Sequence, residues 1–224
     1  MTDMRNKTIY PSNAEFAFTI LDDTDDTTVN NGRPVYDLLS ELGLRTTKTV
    51  WAFDTPEENR GPYFAGETLS SPRYLEWVHQ LADKGFEIAF HNATMGTSLR
   101  EDTIKALDML ENEFEQLIRI HCNHGQNLEN LHWGAERYSS FILSKAFALI
   151  NRIRPYPNFS GNKPESPYYW ADIADARLSY LRAFTVRRLN GADITPGQPY
   201  RDIAKQKNTL FFNTTDAPDV LAFN

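Results

Sequence analysis

A mainly parallel α/β fold, (β/α) barrel-like in its order of elements, is predicted by three features of the sequence. Short apolar or β-branched runs alternate with stretches whose apolar residues recur at helical spacing, at intervals of roughly thirty residues. Gly, Pro and Asp clusters punctuate the exchanges. The composition, 41% hydrophobic and 24% charged over 224 residues, supplies a core for one domain spanning 1–224.

Residues 15–21 (EFAFTIL) read as the first strand, which stops at the acidic run Asp22, Asp23, Thr24, Asp25 and Asp26. Residues 34–44 place Val35, Leu38, Leu39 and Leu42 at helical spacing, with Pro34 at the start and Gly43 near the end. Residues 46–53 (TTKTVWAF) form the second expected strand, and the polar loop 54–71 after it is long enough to suggest function. Residues 72–84 carry Leu75, Val78 and Leu81 on one helical face, and Gly85 closes that helix before a strand at 86–90. Ser98 and Glu101 make a capping-box pattern for a helix reaching about residue 116. A fourth strand is expected at 117–122. Residues 136–153 and 171–181 read as helical, 155–169 as a loop, and 182–186 and 209–212 as the last two strands.

Charge and composition exclude several classes of function. With 23 basic against 30 acidic residues, the net charge of −7 opposes a polyanionic partner, so no nucleic acid is expected. No apolar stretch approaches the about 18 residues of a membrane span, and the polar start lacks a signal core; the expectation is a cytoplasmic protein with no membrane partner. The lone Cys122 excludes an intrachain disulfide and a Cys-only zinc site. Any metal must be held by His and carboxylates.

In α/β folds of this kind the loops after the strands converge on one rim, where chemistry is built. Strand one ends in Asp22 and Asp23, strand two in Asp54, strand three in His91 and Asn92, and strand four in His121, Asn123 and His124. Strand-end aspartates and histidines can surround a divalent ion, whose charge offsets the gathering of carboxylates and lowers the pKa of a bound water. That set points to metal-assisted hydrolysis. Each member also has an ordinary structural use, in a solvated turn, a helix cap or a core histidine. His79, within a helix, and His132, in a loop, are expected to serve packing or the surface.

These motifs resemble those of the polysaccharide deacetylases of carbohydrate esterase family four. The stretch Ile20-Leu21-Asp22-Asp23-Thr24-Asp25 is similar to the family's T-F-D-D-G-P. The stretch from Gly85 to Asn92 is similar to its strand leading into H-S/T-x-x-H, and His121-Cys122-Asn123-His124-Gly125 stands where the family has R-x-x-Y/F-G. The resemblance covers about residues 15 to 125, with the motifs in family order. It implies a deacetylase-type barrel in which Asp22 is the catalytic base, Asp23 and His91 hold a divalent metal such as zinc, and the substrate is an acetylated carbohydrate. Trp51, Tyr63, Tyr169 and Trp170 are candidates to stack on sugar rings, with Asn92 and Asn123 as further substrate contacts.

The chain departs from the family at three points. Met95 occupies the place of the second metal histidine, His121 replaces the third-motif Arg, and no histidine follows His132 to act as the late general acid. The second histidine ligand is therefore sought in His121 or His124, with His121 the metal ligand and His124 the catalytic acid expected. The barrel is expected to be incomplete at its C-terminal end, with weak or no deacetylase activity and an exposed edge that permits a homo-oligomer. Two other readings stand beside this one. Asp23-Thr24-Asp25-Asp26-Thr27 fits D-x-D-x-T and resembles haloacid-dehalogenase-type phosphatases, with Asp23 as nucleophile and Asp25 as acid/base. The other is a non-catalytic scaffold that binds a glycan or a partner.

Overall fold

A computed structural model describes residues 19–59, 66–134, 149, 158–186 and 199–215. Residues 15–18 of the expected first strand, Tyr63 and all but one residue of the expected 136–153 helix lie outside them. In chain order the regular elements are β1 (Leu21–Asp22), α1 (Val29–Glu41), β2 (Thr47–Val50), α2 (Pro72–Asp83), β3 (Glu87–Phe90) and α3 (Arg100–Glu113). They continue with β4 (Ile120–Cys122), α4 (Ala171–Arg177), β5 (Tyr180–Val186) and β6 (Leu210–Thr215), and a short 3₁₀ turn covers Glu57–Asn59.

The six strands form one sheet in the order β1-β2-β3-β4-β5-β6, with every neighbouring pair parallel. Parallel neighbours need crossovers, and crossovers are right-handed, so strands laid down in chain order put the connecting helices on one face. A doubly wound sheet would instead reverse its order at a switch point. The sheet curls into a half-barrel, which is the α/β architecture expected in its coarser form. Among the described residues no ladder joins β6 back to β1.

Several element boundaries differ from expectation, each for a local reason. Helix α1 starts at Val29 instead of Pro34, because Thr28 Oγ1 accepts from the Asn31 N–H at 3.3 Å while Asn31 Oδ1 accepts from the Thr28 N–H at 2.7 Å. Pro34 then sits inside the helix, where it removes a single bond near the N-terminus. Helix α3 is capped by Leu99 without a side-chain bond. Ser98 is drawn away, its hydroxyl against Thr94 Oγ1 and its N–H to Glu129 Oε2 at 3.2 Å. The helix expected over 171–181 ends at Arg177, because the backbone turns extended at Leu178 and the Ser179 and Tyr180 N–H groups bond the Arg119 carbonyl to begin β5. Gly85 does end α2 as expected, with φ of 86° and the N–H groups of Gly85 and Phe86 bonding Ala82 and Leu81 carbonyls.

The core lies between the sheet and these helices. Val50, Ile88 and Phe90 from β2 and β3, Trp77, Val78 and Leu81 from α2, and Leu107 and Leu110 from α3 are all buried in one cluster. The same cluster runs on to Trp170, Leu181 and Phe211. Strand β2 is buried along its whole length despite reading Thr-Lys-Thr-Val. Its polar side chains are bonded: Thr47 to Glu87 Oε2 at 2.8 Å, Lys48 Nζ to Asp22 Oδ2 at 2.9 Å, and Thr49 Oγ1 to the Asp22 carbonyl at 2.8 Å. These bonds hold the two-residue β1 against the sheet and so aim Asp23 and Asp25 at its end.

The 158–170 loop packs against the 123–131 loop at Gly161, where a Cβ would fall inside the van der Waals radius of the Glu129 carbonyl oxygen. Trp170 Nε1 donates to that same oxygen at 2.7 Å. Gly161→Ala should therefore separate the two loops and lower stability by about 2 kcal/mol or more, read from the shift of the urea midpoint. An unchanged midpoint would show that the two loops can part without loss.

Candidate metal centre

His91 follows β3 directly and is fully buried. Its Nδ1 lies 2.7 Å from the Cys122 carbonyl, an acceptor only, so Nδ1 carries the proton. That leaves Nε2 to face Asp23 Oδ1 at 2.7 Å and Asp25 Oδ1 at 3.1 Å. Asp23 and Asp25 leave the end of β1, and their side chains are 43% and 47% exposed, so the buried imidazole meets solvent through two accessible carboxylates. One ligand atom from each of Asp23, Asp25 and His91 lies within 4.8 Å of the others, a group that could hold a metal ion.

Arg182 joins the group from β5. Its Nη1 donates to Asp23 Oδ2 at 2.7 Å and its Nη2 to the Asn123 carbonyl at 2.9 Å. The β5–β6 register shifts between Arg182 and Phe184, beside the site. Burial opposes the Asp23 charge, yet His91 and Arg182 outweigh it and hold that carboxyl well below the usual range. Burial likewise opposes a charged His91, but the Asp23 and Asp25 carboxylates raise its pKa above the ordinary value. Without an ion, the stable arrangement is an imidazolium clasped by two carboxylates.

His124 stands at the border of this group. Its Nε2 is 3.6 Å from Asp25 Oδ1, its Nδ1 is 2.9 Å from Asn127 Oδ1, and burial lowers its pKa. Trp51 is fully buried beside both imidazoles, with ring centroids 4.4 Å from His91 and 4.9 Å from His124. Its indole N–H finds no partner among the described residues.

The other expected site residues are placed elsewhere. Asp22 points to the opposite side of β1 from Asp23, as alternation along a strand requires, and is held there by the Tyr36 hydroxyl at 2.7 Å and Lys48 at 2.9 Å. The ring nitrogens of His121 lie 3.2 Å from the Phe90 carbonyl and 3.1 Å from Asn123 Oδ1, both acceptors, of which a neutral ring can donate to one, and the ring packs on Phe90 and Trp170. Burial drives its pKa down to about 3, so it is a neutral core histidine outside the Asp23–Asp25–His91 group. Trp170 is fully buried, and its face is not open to a sugar.

Asn92 and Asn123 are buried and internally bonded. Asn92, with φ of 64°, accepts from the His124 N–H and donates to Glu129 and Asn130. Asn123 closes the 123–131 loop through two bonds to the Leu131 backbone. Asp54 accepts from Thr68 at 2.6 Å. His79 pairs with Glu113 on the surface, while His132 packs against Phe211 and is pushed down to about 4 by burial. The buried Cys122 thiol, raised to about 12 by burial, is inert as a nucleophile or ligand.

Arg182, Lys48, Asn127 and Glu129 support the site without having been expected there. An Arg within the strand Tyr-Leu-Arg-Ala-Phe-Thr-Val, and a Lys within Thr-Lys-Thr-Val, were the available signals: a charge on a buried strand needs a counter-charge. Glu129 is buried beneath His124, where desolvation, only partly offset by bonds from Asn127, Ser98 and Asn92, raises it to about 7. Among the described residues no helix is long and apolar enough to cross a membrane. Compared with the profiles of known families, with curated proteins and with solved structures, the chain matches none.

The two shifts give a pH dependence of defined sign. Asp23 is depressed, so its contribution is present above the ordinary carboxylate range and lost as pH falls through its folded value. His91 is raised, so its contribution is complete below the ordinary imidazole range and lost as pH rises through its folded value. In ion-free protein, the stability lost on His91→Gln, measured by urea denaturation, should shrink from pH 6 to pH 9. Saturating Zn²⁺ should invert that trend in the wild type, because ligation requires a deprotonated Nε2. A flat difference without metal would remove the imidazolium from the site.

Proposed function

We propose that this protein is a divalent-metal-dependent hydrolase of the carbohydrate deacetylase kind, with the centre built on Asp23, Asp25 and His91. The observation that carries the metal reading is the commitment of His91 Nδ1 to a backbone carbonyl, which turns the remaining ring nitrogen onto two carboxylate oxygens. Three such atoms converging on one point at the carboxyl end of a parallel sheet match a mixed O/N site for a borderline divalent ion. The deacetylase part rests on the resemblance of the strand-one and strand-three motifs.

A bound divalent ion supplies Lewis acidity toward a carbonyl and lowers the pKa of a coordinated water. The protein's own groups divide the remaining work. Arg182 neutralises the outer oxygen of Asp23 and fixes its carboxylate. Asp25, in contact with His91 through Oδ1, would be the second carboxylate holding the ion. Asp22, the base that the resemblance implies, is bonded to Tyr36 and Lys48 and lies outside the Asp23–Asp25–His91 group. Trp51 packs against both imidazoles and restricts their movement.

The phosphatase reading asks Asp23 to attack phosphorus. Both its oxygens are already engaged, one with His91 and one with Arg182, which reduces its nucleophilicity and favours a ligand role. Zn²⁺-loaded protein should release acetate from N-acetylated oligosaccharides slowly, as the departures at Met95 and the missing late histidine imply, and chelation should abolish the release. Asp23→Ala and His91→Ala should each lower bound metal by elemental analysis together with acetate release. Phosphate release from phosphomonoesters through a phospho-Asp23 enzyme would favour the phosphatase instead, and metal binding without turnover of either kind would favour a binding scaffold.

A further inference from the structure

We infer that His124 is a fourth protein ligand of the Asp23–Asp25–His91 centre, binding through Nε2, and that Asn127 is the positioning residue that sets its tautomer; the inference rests on the metal-dependent reading above. The amide of Asn127 can be oriented only one way. Its Nδ2 lies 3.0 Å from the Thr94 carbonyl, 2.8 Å from the Gly96 carbonyl and 2.8 Å from Glu129 Oε1. A flipped amide would set its oxygen against two carbonyl oxygens that have no proton to offer. Asn127 Oδ1 therefore faces His124, and at 2.9 Å from Nδ1 it is an acceptor, so Nδ1 carries the proton.

With the proton on Nδ1, Nε2 of the neutral ring holds a lone pair, directed at Asp25 Oδ1 from 3.6 Å. A lone pair facing a carboxylate oxygen is an arrangement completed by a cation. His91 is built the same way, with Nδ1 on a carbonyl and Nε2 on the same Asp25 oxygen at 3.1 Å. Two ligands of one tetrahedral ion with bonds of about 2.0–2.1 Å stand about 3.3 Å apart, and the two Asp25 distances lie on either side of that spacing. The rings are 5.6 Å apart and inclined at 70°, converging on Asp25 from two strand ends.

The support beneath His124 is dense. Asn92 Oδ1 accepts from the His124 N–H at 2.9 Å, Asn130 Nδ2 bonds the His124 carbonyl, and Glu129 accepts from both Asn92 and Asn127. A histidine needed only as a surface group has no use for a fixed tautomer, whereas a ligand histidine depends on the partner of its other nitrogen. Two imidazoles with two carboxylates also select a class of ion: zinc-like transition metals over Mg²⁺ and Ca²⁺, which take oxygen ligands.

The test uses the full chain, stripped of metal and titrated with Zn²⁺ alone, followed by calorimetry and by long-range ¹H–¹⁵N spectra of the histidine rings. Before Zn²⁺, His124 should show the Nδ1–H tautomer; with Zn²⁺, the Nε2 resonances of both His91 and His124 should shift. His124→Ala should weaken Zn²⁺ binding at least about tenfold, and Asn127→Leu by about 10–100-fold while near-UV circular dichroism remains native. If Asn127→Leu does not fold, the His124→Ala affinity and the wild-type spectra decide. Unchanged Zn²⁺ affinity in His124→Ala, with only the His91 ring shifting in the wild type, would overturn the inference and leave the three-residue centre standing. Failure of the wild type to bind Zn²⁺ would overturn the centre itself, and this inference with it.

Discussion

The bond from His91 Nδ1 to the Cys122 carbonyl governs the chemistry of this protein. It crosses from the end of β3 to the end of β4 inside a fully buried ring, and it commits one nitrogen to the scaffold while the other meets solvent-accessible acid groups. A buried imidazole is expensive to charge, and two carboxylates side by side are expensive to leave uncompensated; the two penalties cancel only where they meet. A proton on Nε2 satisfies that balance, and so does a divalent ion. The parallel sheet makes the meeting possible by bringing the carboxyl ends of β1, β3 and β4 to one rim.

Adjacent aspartates are put to separate uses by the pleat of the strand. Asp22 turns toward α1 and is matched by Lys48 from β2, while Asp23 turns the other way and is matched by Arg182 from β5. Each carboxylate thus has a buried cation of its own, supplied by a different strand. Lys48 reaches further, to Thr24 Oγ1 at 2.9 Å, and the Thr24 N–H bonds Thr49 Oγ1 at 3.1 Å. The short β1 is therefore anchored on both sides of Asp23, and Asp25 comes next in a fixed position. Stability of the strand and aim of the site have the same cause.

The loop over 123–131 is a second scaffold made almost wholly of amides and one acid. The Asn123 amide bonds both the N–H and the carbonyl of Leu131, Asn92 in its left-handed conformation ties the loop to the end of β3, and Glu129 collects the amide donors beneath. Buried polar groups of this kind rigidify only when all are bonded, and these are. The dense network explains how a loop without regular structure presents His124 at a defined angle.

Alternation of strands and helices, the helix end at Gly85 and the placement of Asp23 and His91 at strand ends were legible in the sequence, because period, turn chemistry and strand polarity are local properties. Proximity along the chain placed Asp25 among the candidates as well, through the D-x-D-x-T spacing. Which of neighbouring residues enters the site was not legible. Asp22 and Asp23 are equivalent in one dimension and face opposite ways in three; His121 and His124 are three residues apart, yet one is a core histidine between Phe90 and Trp170 and the other borders Asp25. The capping boundary at Thr28 was hidden because Pro34 offered a competing start, and Ser98 lost its cap to a distant Glu129. Arg182 lies 159 positions from the carboxylate it neutralises. The order of elements and the chemical inventory of the rim are thus written along the chain, whereas the choice of which groups meet is made in three dimensions, because ion pairing and tautomer are set by partners that the curl of the sheet brings together from separate strands.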